Sequence, residues 1–112
     1  MIIDLKCVQE ILLTAEKHNL EGVKNFDRTI LKEHIEYLII NGYITRSENP
    51  LSKSDCILSI GDLTKDKGQN FITLFRDDDD FTDEIVKELK ERNTDSLEVA
   101  YEIAFNRKSA PK

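Results

Sequence analysis

The chain lacks a long hydrophobic run, a paired-cysteine motif, a glycine-rich phosphate loop and any excess of positive charge. Each lack removes a class of protein. Apolar runs such as Leu38-Ile39-Ile40 fall far short of the roughly 20 residues that a bilayer-spanning helix needs. Asp4, Lys6 and Glu10 interrupt Met1–Leu13, so no basic-then-apolar signal segment opens the chain, and a cytoplasmic protein without a membrane partner is expected. Cys7 and Cys56 are far apart and outside any C-x-x-C spacing, which points to reduced thiols in or near the core. Neither G-x-G-x-x-G nor a P-loop occurs. Glu33-His34-Ile35-Glu36 is not H-E-x-x-H and offers no second histidine at helical spacing. No catalytic residue, cofactor or metal site is expected, and a non-enzyme is the reading.

The net charge is −6, and it is unevenly placed. Residues 1–46 carry 6 basic and 7 acidic side chains, residues 47–76 carry 4 and 4, and residues 77–112 carry 6 and 11. Nucleic-acid binders draw affinity from Lys and Arg at phosphates, so an acidic last third disfavours DNA as a partner.

What is present is helical patterning around a short ribbon. With 112 residues, 39% apolar and 34% charged, the chain suits one domain. Asp4 can cap a helix to about Lys17 or His18, with Leu5, Val8, Ile11, Leu12 and Ala15 on its inner face. His18 at its end suits a cap or a surface position. Asn19–Phe26 contains Gly22 and supports only a truncated helix, strand or turn. Asp27 opens a second clear helix to Ile40, with Ile30, Leu31, Ile35, Leu38 and Ile39 inward and His34 as a hydrogen-bonded histidine at the core edge. Asn41-Gly42 stops it. Strands are expected at Tyr43–Thr45 and Cys56–Ile60, joined by a polar loop at Ser47–Asp55.

A further helix follows, with Thr64 as the capping oxygen and Gly68, Phe71, Ile72 and Phe75 on one face. Gly68 there suggests close approach to a neighbour. Asp77–Asp80 could attract Mg²⁺ or Ca²⁺, but the D-x-D-x-D-G spacing is absent. A solvated acidic linker over 77–80, with Asp80 as N-cap, is the reading. A helix over Phe81–Arg92 and another over Ser96–Asn106 complete an extension at 81–106. The last helix either docks on the first or closes a dimer, and residues 107–112 fray.

Helix, two-stranded wing, helix is the order of a winged helix-turn-helix, here α+β but mainly α, with residues 1–76 as its core and extra C-terminal helices. Three stretches carry a resemblance to a known group: Leu5-x-x-Val8-x-x-Ile11-Leu12, Glu33-His34-Ile35-x-x-Leu38-x-x-x-Gly42-x-Ile44, and Leu63-Thr64-x-x-x-Gly68-x-x-Phe71-Ile72 before an acidic segment and Phe81. On these the chain resembles small bacterial and phage winged-helix proteins of unknown function, similar in style to the YjcQ-like phage proteins. The resemblance implies a fold and a prophage or mobile-element setting, and it carries over no catalytic residues.

Two roles follow. In a DNA-associated regulator, Arg28, Thr29 and Lys32 on the third helix position and Arg46 and Lys53 in the wing would make the contacts. In a protein-interaction or dimerisation module that ignores DNA, Tyr37, Ile40, Leu97, Tyr101 and Phe105 would form the surface. For Tyr37 and Ile40 the alternative is packing against the wing.

Overall fold

Asp4 ends an extended N-terminal segment by accepting hydrogen bonds from the backbone N–H groups of Lys6 and Cys7 at 3.0 and 3.3 Å. This caps α1, Leu5–Lys17, whose Leu5, Val8, Ile11, Leu12 and Ala15 are buried at the spacing the sequence predicts. The chain is described here from a computed structural model, which covers residues 2–48, 55–76 and 78–109. Helix α1 ends at His18, in the left-handed conformation (φ 55°), with its N–H bonded to the Thr14 carbonyl.

A single 3₁₀ turn, Gly22–Asn25, with Val23 buried, fills the space before the next helix. Asp27 then accepts from the Thr29 and Ile30 N–H groups and opens α2, Arg28–Ile40. Leu31, His34, Ile35 and Leu38 face inward. Ile30, predicted inward, is 42% exposed instead. The buried stripe centres on Leu31 and Ile35, and Ile30 lies one residue, about 100° of helix, outside it. His34 is buried and ties two elements together. Its Nδ1 pairs with the Ile30 carbonyl at 2.8 Å, and its Nε2 accepts the Asp4 N–H at 2.9 Å. Because Nε2 must accept, the proton sits on Nδ1, which donates.

Gly42 (φ 80°) terminates α2. Tyr43 N–H reaches the Leu38 carbonyl and Gly42 N–H the Ile39 carbonyl, the paired bonds of a Schellman motif. The reversed chain forms β1, Ile44–Arg46. Its antiparallel partner is β2, Ile60–Leu63, pairing Ile44 with Leu63 and Arg46 with Ile60. The register shifts between those pairs, leaving an extra residue on β2. The ribbon is therefore present, but its second strand lies later than Cys56–Ile60. Most of that segment, Cys56–Ser59, is a 3₁₀ turn. Asp55 accepts the Ile57 N–H, and Ser59 Oγ donates to the Cys56 carbonyl, so local side-chain bonds outcompete strand pairing there.

The N-cap position of the next helix is Asp66, without a side-chain cap bond, and not Thr64, which still lends an oxygen to the first turn. The Thr64 hydroxyl donates to the Gly42 carbonyl at 2.7 Å and accepts the Gly68 N–H at 2.8 Å, joining the ribbon to α3, Lys67–Phe75. Helix α4 spans Asp79–Glu91, and its cap is Asp78, which accepts the Phe81 N–H. Thus Asp80 is not the cap, and Asp79 and Asp80 are not linker but first-turn acids that favour the helix dipole. Asp77 lies outside the described residues. Helix α5 runs over Leu97–Ser109, beyond the predicted end at Asn106. Arg107 pairs with Glu84 and Glu88, and Lys108 with Asp78, which explains why residues 107–109 stay helical.

Among the described residues the fold is mainly helical, with five α-helices and one two-stranded antiparallel sheet. Helix α1 packs against α2, α3, α4 and β2. Helix α5 packs chiefly on α3 and α4, and at most slightly on α1 where docking was expected. One core unites Ile11 and Leu12, Leu31 and Ile35, Phe71 and Phe75, Ile85, and Leu97 with Ala100. Among the described residues no helix is long and apolar enough to cross a membrane.

Candidate functional site

Among the described residues, the DNA-contact candidates Arg28, Thr29, Lys32 and Arg46 do not form one open cationic surface. Arg28 is at the start of α2, where its guanidinium pairs with Asp55 at 3.0 Å. Arg46, on β1, makes a two-point pair with Glu36 at 3.0 and 2.6 Å. That pairing holds the Glu36 carboxyl below its ordinary range, chiefly through the Arg46 hydrogen bond. Arg28 and Glu36 are eight residues apart on α2, which separates the two pairs by about 12 Å along the axis. Thr29 and Lys32 are exposed, with Glu33 beside Lys32 on the same helix. Lys53 lies outside the described residues.

The interface candidates divide differently. Leu97 is 1% exposed and belongs to the core, so it is no part of any outer surface. The reason is its place in the first turn of α5, where that helix packs on its neighbours. Ile40 is 78% exposed and Phe105 50% exposed. Tyr37 and Tyr101 are half-buried.

The structure brings Tyr101 and Phe105 together with residues not singled out in the sequence. Four aromatic rings run from the core to the surface in one chain of contacts. Tyr43 meets Phe71 edge-on at 5.5 Å between centroids, Phe71 stacks on Tyr101 at 6.2 Å, and Tyr101 on Phe105 at 6.0 Å. Beside them, α3 and α5 leave a cleft of about 270 Å³, lined by Tyr43, Lys67, Asn70, Phe71, Glu98 and Tyr101. Lys67 is held at one lip, its Nζ 4.5 Å from the centre of the Tyr43 ring and 2.8 Å from the Asn41 carbonyl.

Burial first, then the charge of Tyr37 when it is ionised and that of Glu98, push the Tyr43 hydroxyl up to about 12. Tyr37 is raised as well, by burial first and then by Glu98 and Asp95. Glu98 thus bears on Tyr37 of α2 and on Tyr43, which precedes β1. The cleft therefore offers two phenols, one pinned cation, one amide and one carboxylate. It suits recognition of a side chain better than proton transfer.

Tyr43, Lys67, Asn70 and Glu98 were missed in the sequence because each is unremarkable within its own element. The available signals were the i, i+4 pair Tyr101/Phe105 and the Lys67/Asn70/Phe71 face of α3. Other hollows among the described residues are less distinctive. One of about 550 Å³ lies between residues 2–5, the end of α4 and residues 93–95, and a polar one of about 500 Å³ lies along the ribbon near His18 and Asp62. Cys7 is buried, and that burial pushes its thiol up to about 12, so it is not a thiolate nucleophile at neutral pH. Compared with protein families, curated proteins and solved structures, the chain matches none of them.

Proposed function

We propose that this chain is a non-catalytic protein-interaction module on a winged-helix-like frame, with the α3/α5 aromatic face as its binding surface. The order α2, β1, β2, α3 supports the winged-helix part. The single 3₁₀ turn before α2, where a helix-turn-helix carries a full helix, is a departure that weakens the DNA-reading variant of that frame. A prophage setting rests on the family resemblance alone and belongs to the same proposal.

The observation that carries the reading is the aromatic run ending at half-exposed Phe105 beside an open cleft, while Arg28 and Arg46 are already paired with carboxylates of the same chain. Exposed aromatics next to a side-chain-sized hollow are what interface anchors require. Arginines that must first leave Asp55 and Glu36 make poor phosphate clamps on a chain of charge −6.

Photo-crosslinking in the native cell tests this. A benzoyl-phenylalanine at position 105 is expected to give a discrete protein adduct, and one at position 30 none. A nucleic-acid adduct from position 105, or equal adducts from both positions, overturns the reading. So does saturable, steeply salt-dependent binding to random duplex DNA that Lys32→Glu abolishes.

A further inference from the structure

We propose that the groove between α3 and α5 receives a cationic amphipathic helix from another protein, with an apolar anchor in the Tyr43/Phe71/Tyr101 cleft and basic side chains against Glu98 and Glu102. This rests on the interaction reading and names the partner's chemistry. The cleft, at about 270 Å³, lies at the small end of ligand pockets, which suits one bulky side chain better than a metabolite. Its walls are aromatic, and Phe105 continues the apolar surface one turn further along α5. An aromatic cleft with Phe105 one helical turn beyond Tyr101 matches a helix laid in a groove, the recognition mode in which i, i+3/i+4 and i+7 residues dock.

Charge decides the sign of the partner. Glu98 and Glu102 are exposed, one turn apart on α5. Among the described residues neither has a cation within ion-pair distance, whereas Arg107 and Lys108 farther along the same helix are both paired. On the facing helix, Asn70 is neutral. Lys67 is committed to the Asn41 carbonyl and the Tyr43 ring. The groove therefore carries two open carboxylates along its α5 side and one cation, Lys67, on its α3 side, in a chain whose last third carries most of its excess acidity.

The same charges disfavour two other occupants. A two-fold pairing of this face would bring the same patch of two chains, each of charge −6, against itself, so like carboxylates would gather at one interface. An anionic membrane surface would be repelled by Glu98 and Glu102. The pinned Lys67 also orients the guest, because a basic residue is accepted at the α5 lip and opposed at the α3 lip.

The probe is a fluorescein-labelled synthetic helix with leucine and phenylalanine on one face, lysine along one flank and glutamine elsewhere, beside a counterpart with glutamate in place of lysine. Fluorescence anisotropy with the full chain is expected to show saturable one-to-one binding of the lysine peptide alone. Glu98→Lys with Glu102→Lys should weaken it by about tenfold or more, and Phe105→Ala by about fivefold. Glu33→Lys with Glu91→Lys makes the same change of net charge elsewhere and should change it less than about twofold. All substituted positions are exposed, so unchanged circular dichroism is expected throughout.

Equal weakening by both double variants, equal binding of the acidic peptide, or no saturable binding overturns the proposal. So does a dimer in light scattering that Tyr101→Asp dissociates. If the peptide fails while position 105 still crosslinks to another protein, the basic-helix partner is wrong and the interaction module stands. If position 105 gives no protein adduct, the module itself falls.

Discussion

At Gly68 a β-carbon would lie 2.1 Å from the Tyr43 carbonyl oxygen, a backbone atom that cannot swing aside. Helix propensity alone predicts that Gly68→Ala stabilises α3 by roughly 1 kcal/mol. The close approach reverses the sign, and a loss of about 2–3 kcal/mol is expected, measured as a lower urea midpoint. The sequence pointed to this, because a glycine in mid-helix needs a compensating reason. His34 is a second case. Replacing it with alanine removes both the Ile30 and Asp4 bonds and leaves a hollow between α1 and α2. About 2–4 kcal/mol should be lost in denaturant titration. An unchanged midpoint would show that the α1 cap does not depend on this ring. That His34 borders the core was legible from its place beside the apolar stripe. Its partner Asp4 was not, because thirty residues separate them.

The elements were legible where caps and periodicity agree. Asp4, Asp27 and Asn41-Gly42 mark helix ends within a residue, because each acts on backbone groups a few positions away. They were misplaced where local bonds compete. Asp55 and Ser59 draw Cys56–Ser59 into a 3₁₀ turn, although its residues suit a strand. Four aspartates in a row hid which one would cap α4. Helix α4 ends like α2, with Asn93 at φ 55° and the Asn93 and Thr94 N–H groups returning to the Lys90 and Leu89 carbonyls. Asparagine tolerates this conformation less well than glycine. Asn93→Gly is therefore expected to raise stability by up to about 1 kcal/mol, seen as a higher urea midpoint at unchanged m-value. A lower midpoint would mean that the Asn93 side chain does more than occupy the turn.

For the whole molecule, two buried groups contribute to a loss of stability at alkaline pH. Cys7 rises from 9.0 to about 12 and Tyr43 from 10.0 to about 12, in each case chiefly because burial disfavours the charged form. The native state therefore holds these protons more tightly than the unfolded chain. Stability is full below the unfolded values, begins to fall as pH passes about 9, and continues to fall toward about 12. Denaturation midpoints across that range should decline. The Tyr43→Phe protein should decline less above about pH 10, with tyrosine ionisation followed by ultraviolet absorbance. A midpoint flat from pH 9 to 12 would contradict the burial of both groups.

Composition, caps and apolar spacing alone determined a mainly helical domain, the helix ends near Asp4, Asp27 and Gly42, and the presence of a short ribbon. These depend on interactions within a few residues or on total burial. The tertiary structure decided which surfaces stay open. It paired Arg28 with Asp55 and Arg46 with Glu36, sank Leu97 into the core, and set Tyr43, Lys67 and Glu98 around one cleft. Those outcomes join positions ten or more residues apart, and local sequence carries no record of which distant side chain will neutralise or cover another.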